Sequence, residues 1–345
     1  MNLGFITLGS NVPSTRFRFL PYLPMLTERG HRCQLWMSFP SVYEHFSALG
    51  WRASTALKHA VRYWQLTQAR LTSPECIYLE RGCLNDNSIH FEQKFRHTTK
   101  RLVLDIDDGI FLEQAEKIDK LLALSDHIIV SNECIAEYIS ARHDRLTLIP
   151  TVVSVKQFQP LNLPRQDPEV PVIGWMGTSS NMPFLEVAST ALRQLAKDYR
   201  FELLVIGPTD TPLSSIDFSG VKVVFKQWDK SSEVQDLQSM DIGIMPLPTG
   251  REWMKYKAAT KLVQYMAVGI PAVASPIGVN AKILANNAVG YCAADDSQWY
   301  EALRALLVDP SLRIKMGQAG RSLAEQKYSA EANIEILENV LSGKS

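Results

Sequence analysis

Residues 240–280 read MDIGIMPLPTGREWMKYKAATKLVQYMAVGIPAVASPIGVN, and this stretch decides the fold. DIGIMPLP is a short apolar run closed by Pro246 and Pro248, which predicts a buried strand that ends in a loop. AATKLVQYMAV predicts a short helix that stops at Gly269, and PAVAS predicts a second buried strand. Strand, loop, helix and strand in this order form one βαβ unit, from which parallel sheets are built.

Basic residues gather around the start of the predicted helix, with only Glu252 to oppose them: Arg251, Lys255, Lys257 and Lys261. A helix N-terminus carries partial positive charge, so cations there are unfavourable unless an anion binds. If the helix has begun by Lys257, this residue and Lys261 lie one turn apart on one face and can hold the same phosphate or diphosphate. A solvated basic loop is the alternative, because runs of charge usually lie on the surface.

The same stretch resembles the C-terminal nucleotide-sugar site of family 4 glycosyltransferases (glycosyl transferases group 1). One branch of that family has the signature DIGIMPL, then a lysine, then KLxxYMAxGxPVVASPxGVN; this chain has DIGIMPL, Lys257 and KLVQYMAVGIPAVASPIGVN. The resemblance implies an α/β chain with the GT-B fold, in which two Rossmann-like domains with parallel sheets face a central cleft. It also implies a catalytic role for Lys257 and Lys261, since fixed positive charge stabilises the leaving diphosphate.

The E-x7-E pair of the family is absent, and Tyr256 and Gln264 occupy its two positions. Both are therefore expected at the substrate-binding site. Gln264 can still hydrogen-bond a ribose diol, whereas Tyr256 cannot replace a carboxylate on sugar hydroxyls. Two consequences remain open, a different choice of sugar or a lower activity.

Composition excludes several classes of protein. The 345 residues favour two domains, and the 46% hydrophobic and 21% charged residues are ordinary for a globular enzyme. The 36 Lys and Arg residues balance the 36 Asp and Glu residues, which gives no support to a nucleic-acid partner. The five cysteines show no CxxC spacing, so neither a zinc site nor a disulfide framework is indicated. A reducing cytoplasm fits this cysteine usage best.

The sequence shows neither a signal peptide nor a membrane-spanning segment. The first ten residues lack a basic region followed by a long apolar core. No apolar run approaches the ~20 residues of a transmembrane helix. A peripheral contact at the inner face of the membrane stays open, because it needs only a local patch.

Two series of strands and helices predict the domain organisation. We assign residues 1–165 to an N-terminal Rossmann-like domain on the acceptor side and residues 166–325 to a C-terminal Rossmann-like nucleotide-sugar domain. The proline-rich junction LNLPRQDPEVP places the linker at about residues 160–170. The resemblance implies that residues 326–345 form a helix that crosses back to the N-terminal domain.

Candidate ligand contacts follow the first predicted strand, NLGFITLGS. Ligands bind beyond the carboxyl ends of parallel strands, so Gly9 and Ser10 are expected in the substrate site. Ser14, Arg16 and Arg18 match an S-x-R-x-R element of the same branch. We expect both arginines to face the cleft and contact a phosphate or the acceptor; two surface arginines at a helix start are the alternative.

The segment RLVLDIDDGIF predicts a strand that ends in three carboxylates, Asp105, Asp107 and Asp108. Their roles stay open between polar contacts with a sugar, a structural loop cap and a metal site. The resemblance is to DIDDxIF of the N-terminal domain, in a fold whose enzymes generally do not depend on a metal held by a DxD element. It places Asp107 where many relatives have a histidine in the cleft, so we count Asp107 among the catalytic candidates. Neither a metal nor a cofactor is expected beyond the nucleotide sugar, which is a co-substrate.

In the second domain, VIGWMGTSSN predicts a strand followed by a glycine-led turn into a helix. Such a turn can cradle a phosphate, which makes Gly177, Thr178 and Ser179 candidate donor contacts. Many family 4 members have a basic pair after this glycine, and this chain has none. Binding of the diphosphate is therefore expected to depend more on Lys257 and Lys261.

Gln227 and Trp228 end a later predicted strand, VKVVFKQW, where the base of a nucleotide would lie. Trp228 either stacks on the base or packs at the rim of the site.

These patterns favour a retaining glycosyltransferase that moves a sugar from a nucleotide diphosphate sugar to an acceptor hydroxyl in polysaccharide or glycoconjugate synthesis. Retention is implied by the resemblance, and the acceptor would be a saccharide or a lipid-linked molecule. A non-catalytic sugar- or nucleotide-binding protein with the GT-B fold is the alternative; the missing glutamates favour it and the lysines oppose it. A Rossmann oxidoreductase is disfavoured, because LGSNVPS and MGTSSN lack the GxGxxG pattern.

Overall fold

The computed structural model describes residues 1–48, 50–161, 170–285 and 288–344. The chain divides into two compact units. Unit 1 comprises Met1–Val152, Tyr256–Ala258 and Ala330–Ser345, and unit 2 comprises Val153–Lys255 and Ala259–Ser329. The predicted linker and the predicted boundary between residues 165 and 166 fall on residues 162–169, outside the described part of the chain.

The strands are, in chain order, β1 (Asn2–Thr7), β2 (Arg32–Met37), β3 (Cys76–Glu80), β4 (Arg101–Ile106), β5 (His127–Val130), β6 (Leu146–Leu148), β7 (Val172–Met176), β8 (Glu202–Gly207), β9 (Lys222–Gln227), β10 (Ile242–Met245), β11 (Ala272–Ala274) and β12 (Gly290–Cys292). The helices are α1 (Leu23–Glu28), α2 (Gly50–Thr72), α3 (His90–Arg96), α4 (Ala115–Leu124), α5 (Glu133–Ser140), α6 (Glu186–Asp198), α7 (Glu233–Gln238), α8 (Thr260–Ala267), α9 (Val279–Ala285), α10 (Asp296–Val308), α11 (Pro310–Lys327) and α12 (Ala330–Ser342).

Each unit is built on one six-stranded sheet, with strand order β2-β1-β3-β4-β5-β6 in unit 1 and β12-β11-β10-β7-β8-β9 in unit 2. The paired strands run parallel throughout. The order reverses between β1 and β3 in the first sheet and between β7 and β10 in the second. Two Rossmann-like sheets of this kind confirm the predicted α/β fold class, and ligands of such sheets bind where the order reverses.

Apolar residues on both faces of the strands explain why these segments are strands at all. Along β1, Phe5 packs into one core cluster with Tyr78, while its neighbour Ile6 packs into another cluster with Leu79. A strand that is buried on both faces has a nearly continuous run of apolar residues, and IGIM in β10 shows this pattern. Helix α6 and the turn before it have one buried apolar face, which comprises Leu185, Ala188, Leu192 and Leu195.

Helix boundaries differ from the prediction after β7 and near the C-terminus. The glycine-led turn after β7 continues as a 3₁₀ helix over Ser179–Leu185, so the α-helix begins only at Glu186. The helix expected over residues 326–345 begins at Ala330 as α12, and it is separated from α11 by Tyr328 and Ser329. Helix α12 packs in the core of unit 1 through residues such as Ile334 and Leu337.

Candidate active site

The order reversal of the first sheet brings the ends of β1 and β3 side by side. Gly9 follows β1 with φ +144, and a Cβ atom there would lie 2.7 Å from the Cβ of Ser41. Only glycine therefore fits at this turn. Gly9 is buried, whereas Ser10 is exposed and its hydroxyl is accessible.

Glu80, the last residue of β3, fastens both ends of the segment that follows β1. Its Oε2 accepts a hydrogen bond of 3.0 Å from the amide of Leu8 and one of 2.6 Å from Oγ1 of Thr15. The side chain is fully buried, and burial raises the pKa of Glu80 to about 7 although these hydrogen bonds favour the carboxylate. Sequence reasoning did not select Glu80; its place at the end of a buried strand is the signal that could have found it.

Arg18 is enclosed in the interior of unit 1, which differs from the predicted contact with a ligand. Its Nε and Nη2 donate to the two carboxylate oxygens of Asp105 at 3.0 and 2.5 Å, and its Nη1 donates to the carbonyl oxygen of Ile149. The hydroxyl of Tyr78 donates to the same carboxylate at 2.6 Å. The side chain of Arg18 is 2% exposed, so its N–H groups donate hydrogen bonds within the core of unit 1. Arg16 is half-buried, with its guanidinium 4.9 Å from the centroid of the Phe17 ring.

Asp107 is held by a cation that the sequence did not suggest. Nε of Arg81 donates to Oδ1 of Asp107 at 2.5 Å, and Nη1 of Arg81 donates to the hydroxyl of Tyr43. Burial would raise the pKa of Asp107, but the charge and hydrogen bond of Arg81 outweigh it and lower the pKa below its usual value. Arg81 has φ +55, a conformation that non-glycine residues rarely adopt and that often marks functional sites.

Asp108 and Lys257 interact within unit 1. Burial raises the pKa of Asp108, while the charges of Lys257 and Arg81 oppose this shift. Lys257 reaches this position because residues Tyr256–Ala258 group with unit 1. The backbone is fastened there by Nδ2 of Asn132, which donates to the carbonyl oxygen of Tyr256 at 3.0 Å.

Tyr256 lies in the apolar core of unit 1, which differs from its predicted place in the substrate site. Its ring meets Phe111 edge to face with centroids 4.8 Å apart. It also packs against Gly109, where a Cβ atom would come within 3.3 Å of the Tyr256 side chain. The residue at this position of the E-x7-E pattern is therefore a packing residue, 5% exposed.

The order reversal of the second sheet lies between β7 and β10, and Lys261 is close to it. A Cβ atom on Gly177, just after β7, would lie 2.6 Å from the Trp175 ring and 2.9 Å from Cε of Lys261, so glycine leaves room for both side chains. Nζ of Lys261 lies 5.2 Å from the centroid of the Trp175 ring. Lys261 is the second residue of α8, whose first turn contains no acidic residue.

The predicted helical pairing of Lys257 with Lys261 is wrong. Helix α8 begins at Thr260, and Ala259 before it is left-handed with φ +50 and ψ +26. A left-handed residue cannot continue a right-handed helix, so Lys257 lies outside α8. Of the two lysines, Lys261 alone lies at the N-terminal end of α8, where the partial positive charge of the helix makes a cation unfavourable.

The other predicted donor contacts of unit 2 lie at the ends of its strands. Thr178 is exposed and Ser179 is half-exposed, and Oγ1 of Thr178 accepts a hydrogen bond of 3.0 Å from Nδ2 of Asn181. Gln227 is exposed at the end of β9. The amide of Trp228 donates to the carbonyl oxygen of Gly207 at 2.8 Å, which ties the end of β9 to the end of β8.

Glu233 joins two of the predicted residues. Its Oε1 accepts hydrogen bonds from Nε1 of Trp228 at 3.3 Å and from Nε2 of Gln264 at 3.4 Å. Glu233 begins α7 and is 2% exposed. Sequence reasoning missed this carboxylate, because no spacing pattern connects α7 with α8.

The carboxylates after β4 are engaged by cations and are not grouped for a metal ion. Within the described ranges, no group of three or more His, Cys, Asp and Glu side chains is placed to hold one. The expectation that the reaction needs no metal remains a prediction.

The C-terminal part of the chain matches a known protein family. The profile of the family described as glycosyl transferases group 1 matches residues 170–309, which include the Gly177 turn and α8. This C-terminal part of the chain matches the group 1 glycosyltransferases, and the whole chain has the GT-B fold. A comparison with curated protein sequences gives no match.

Solved structures of similar fold cover the whole chain or nearly all of it. The sucrose-phosphate synthase of Thermosynechococcus elongatus is 15% identical, with a TM-score of 0.70 and 100% of both chains covered. Anabaena HepE, in complex with UDP and glucose, is 12% identical, with a TM-score of 0.68 and 99% of both chains covered. An α-glucosyltransferase in complex with UDP-glucose and DNA is 10% identical, with a TM-score of 0.71 and 99% of both chains covered. At these identities the likeness establishes the fold.

Proposed function

We propose that this glycosyltransferase transfers a sugar, with retention of anomeric configuration, from a nucleotide diphosphate sugar to an acceptor hydroxyl. The acceptor is a saccharide or a lipid-linked molecule, and the product belongs to polysaccharide or glycoconjugate synthesis. Similar structures were obtained with UDP and glucose or with UDP-glucose, which supports a nucleotide sugar as the donor.

The observation that carries this proposal is Lys261, placed beside Gly177 in the first turn of α8. A cation at the positive end of a helix is unfavourable in the free protein and favourable beside an anion. The diphosphate of the donor provides that anion, and the amides of the first turn provide further donors. As the bond to the sugar breaks, negative charge grows on the diphosphate, so the same groups stabilise the transition state more than the ground state.

The bond changes of the proposed reaction balance without a further reactant. The acceptor oxygen bonds to the anomeric carbon, the bond from that carbon to the diphosphate oxygen breaks, and the leaving diphosphate takes the acceptor proton. In unit 1, Asp107 is fixed by Arg81, and its lowered pKa keeps it ionised. It therefore serves as a hydrogen-bond acceptor toward sugar hydroxyls, and not as a proton donor.

In unit 2, Gln264 and Trp228 share Glu233 as a hydrogen-bond acceptor. We assign this group to the nucleoside part of the donor, with Gln264 toward the ribose and Trp228 toward the base. The Glu233 carboxylate sets the orientation of both side chains.

A panel of nucleotide sugars tests the proposal. Hydrolysis and transfer are measured for the wild type, for Lys261→Ala and for Lys197→Ala, whose exposed lysine lies in the last turn of α6, where a cation is favourable. The wild type and Lys197→Ala should use one donor, Lys261→Ala should lose most of the rate, and the product should keep the anomeric configuration of the donor by NMR. Nucleotide binding without any hydrolysis or transfer would indicate a non-catalytic binding protein, and inversion would remove the retaining mechanism.

We further propose a cytoplasmic protein with a peripheral contact at the inner membrane face, and with no nucleic-acid partner. Of the helices in the described residues, none is both long enough and apolar enough to cross a bilayer. Fractionation of cells tests the location: the chain should distribute between the cytosol and salt-extractable membranes.

A further inference from the structure

Helix α2 presents a row of apolar and small residues to solvent. We call this row, spaced by three or four residues and exposed at each position, the α2 stripe: Ala53, Ala56, Ala60, Trp64, Thr67 and Leu71. Residues at these spacings share one face of a helix. Trp64 is 64% exposed and Leu71 is 82% exposed. Single exposed apolar residues are normal, but an aligned row of them is typical of an interaction surface.

The opposite face of α2 is buried although part of it is polar. Arg62 is fully buried and donates hydrogen bonds to three backbone carbonyl groups, those of Thr7, Trp36 and Cys83. Gln65 is buried beside it and donates to a fourth carbonyl. A surface helix normally turns its apolar residues inward. In α2 the largest apolar side chains point outward while an arginine points inward, so the core of unit 1 does not account for Trp64 and Leu71.

The charges around the α2 stripe are positive. Helix α2 spans 23 residues and contains no acidic residue. Arg52 and Arg70 are exposed at its two ends. On the neighbouring helix α3, Nζ of Lys94 lies 5.1 Å from the centroid of the Tyr63 ring, next to the stripe. Because the chain as a whole has zero formal net charge, this is a local excess that fits an anionic partner.

We propose that the α2 stripe docks on an anionic lipid bilayer, with α2 lying in the plane of the interface. Trp and Tyr are enriched at the level of lipid headgroups, and arginines reach phosphate groups while their aliphatic parts stay in apolar surroundings. A helix with such a face and flanking cations binds through buried apolar area together with attraction to anionic lipid. The inference specifies the peripheral membrane contact proposed above, and it does not depend on which sugar is transferred.

Vesicle flotation tests the inference with the full chain. The wild type is mixed with phosphatidylcholine vesicles that contain or lack phosphatidylglycerol. The double variant Trp64→Ser/Leu71→Ser removes the apolar anchors, and the control Val308→Ser/Ile336→Ser removes two exposed apolar residues elsewhere. We expect the wild type and the control to float with anionic vesicles, and the Trp64/Leu71 variant to bind at least about tenfold more weakly.

Two further arms test the contribution of charge and the independence of the active site. Arg52→Gln/Arg70→Gln should bind anionic vesicles more weakly and with a smaller dependence on salt. Nucleotide binding and donor hydrolysis should be the same in all variants, because none changes a residue of the candidate active site. Failure of hydrolysis with intact vesicle binding would count against the proposed function alone.

Three results would overturn the docking proposal. One is a wild type that does not float with anionic vesicles. Another is a Trp64/Leu71 variant that floats as well as the control. The third is a wild-type dimer that dissociates in the Trp64/Leu71 variant while vesicles bind neither protein, which would make a second copy of the chain the occupant of the stripe.

Discussion

Arg18 stabilises the fold of unit 1 through its ion pair with Asp105, whereas the sequence had suggested that Arg18 binds a ligand. The pair is buried and its hydrogen bonds are complete. Removing one partner of such a pair leaves the other charge buried and unpaired, which costs about 3–5 kcal/mol. We therefore expect Arg18→Met to lower the free energy of unfolding by that amount in urea titrations.

Arg16→Met is the matched control, because Arg16 is half-buried and its guanidinium packs on Phe17. It should change stability by about 1 kcal/mol or less. A fully stable Arg18→Met protein with lost transfer activity would contradict this account and restore the predicted ligand contact.

Glu80 makes stability depend on pH. Its pKa is about 7 in the folded protein against an ordinary value of 4.5, so between these pH values the folded state binds more protons than the unfolded state. The Glu80 contribution to the free energy of unfolding is therefore fully present below about pH 4.5 and decreases by roughly 3 kcal/mol as the pH rises to about 7. In Glu80→Gln this dependence should disappear.

Urea titrations from about pH 4.5 to 7.5 measure the difference between the wild type and Glu80→Gln. Several ionisable groups interact with Glu80, namely Tyr43, Arg62, Tyr78 and Asp107. The difference between the two proteins is therefore more informative than either titration curve. Glu28→Gln, at an exposed position, controls for the general effect of removing a carboxylate. The free energy of unfolding of the wild type minus that of Glu80→Gln should fall as the pH rises; a value that stays constant or rises with pH would show that burial does not raise the pKa of Glu80.

Which residues could be predicted from sequence depends on how far apart their partners lie in the chain. Lys261 and Gly177 could be selected as donor contacts because each belongs to a local pattern of turn and helix, and their role stays a prediction. Arg18 was misplaced, because its partner Asp105 is 87 residues away and no spacing rule connects them. Glu80 and Arg81 were missed for the same reason, since their roles arise only where β1, β3 and β4 lie side by side.

At the scale of elements, the turn before α9 is fixed by close contact with the segment before α8. Gly278 has φ +55, and a Cβ atom there would lie 2.3 Å from the carbonyl oxygen of Lys255. Gly278→Ala should therefore combine backbone strain with overpacking and lower the free energy of unfolding by roughly 2–4 kcal/mol.

Gly220→Ala is the control, because Gly220 has φ +81 with open space around its Cα. Gly220→Ala should lower the free energy of unfolding by the backbone strain alone, about 1–2 kcal/mol. Urea titrations compare the two variants, and nucleotide titrations show whether moving Lys255 also disturbs the donor site. Equal costs at the two positions would mean that Gly278 and Lys255 are not in contact.

The elements themselves were largely predictable, and their boundaries were not. Continuous apolar runs such as those of β1 and β10 indicate strands buried on both faces, and the prediction was confirmed for each. The start of α8 was wrong because Ala259 adopts a left-handed conformation that alanine rarely takes. Tertiary packing stabilises such a conformation, and Ala259 is buried, with 1% of its surface exposed.

At the scale of the whole molecule, the two sheets reverse their strand order at the places where the candidate residues collect. In unit 1 this place holds Glu80 with the turn after β1, and in unit 2 it holds Gly177 with Lys261. The sequence predicted both Rossmann-like sheets, because each has its own series of strands and helices. It did not predict that Tyr256–Ala258 group with unit 1, since three residues carry no pattern of their own.

The central claim is that Lys261 binds the diphosphate of the donor, and calorimetric titration with UDP and other nucleoside diphosphates tests it most directly. Lys261→Ala should bind the preferred nucleotide more weakly by roughly 1.5–3 kcal/mol, the range for a hydrogen bond to a charged group, while Lys197→Ala binds like the wild type. Because a cation is unfavourable at the start of α8, the ligand-free Lys261→Ala protein should melt at the same or a higher temperature than the wild type. Unchanged nucleotide affinity together with a lower ligand-free melting temperature would show that Lys261 is structural and would contradict the account.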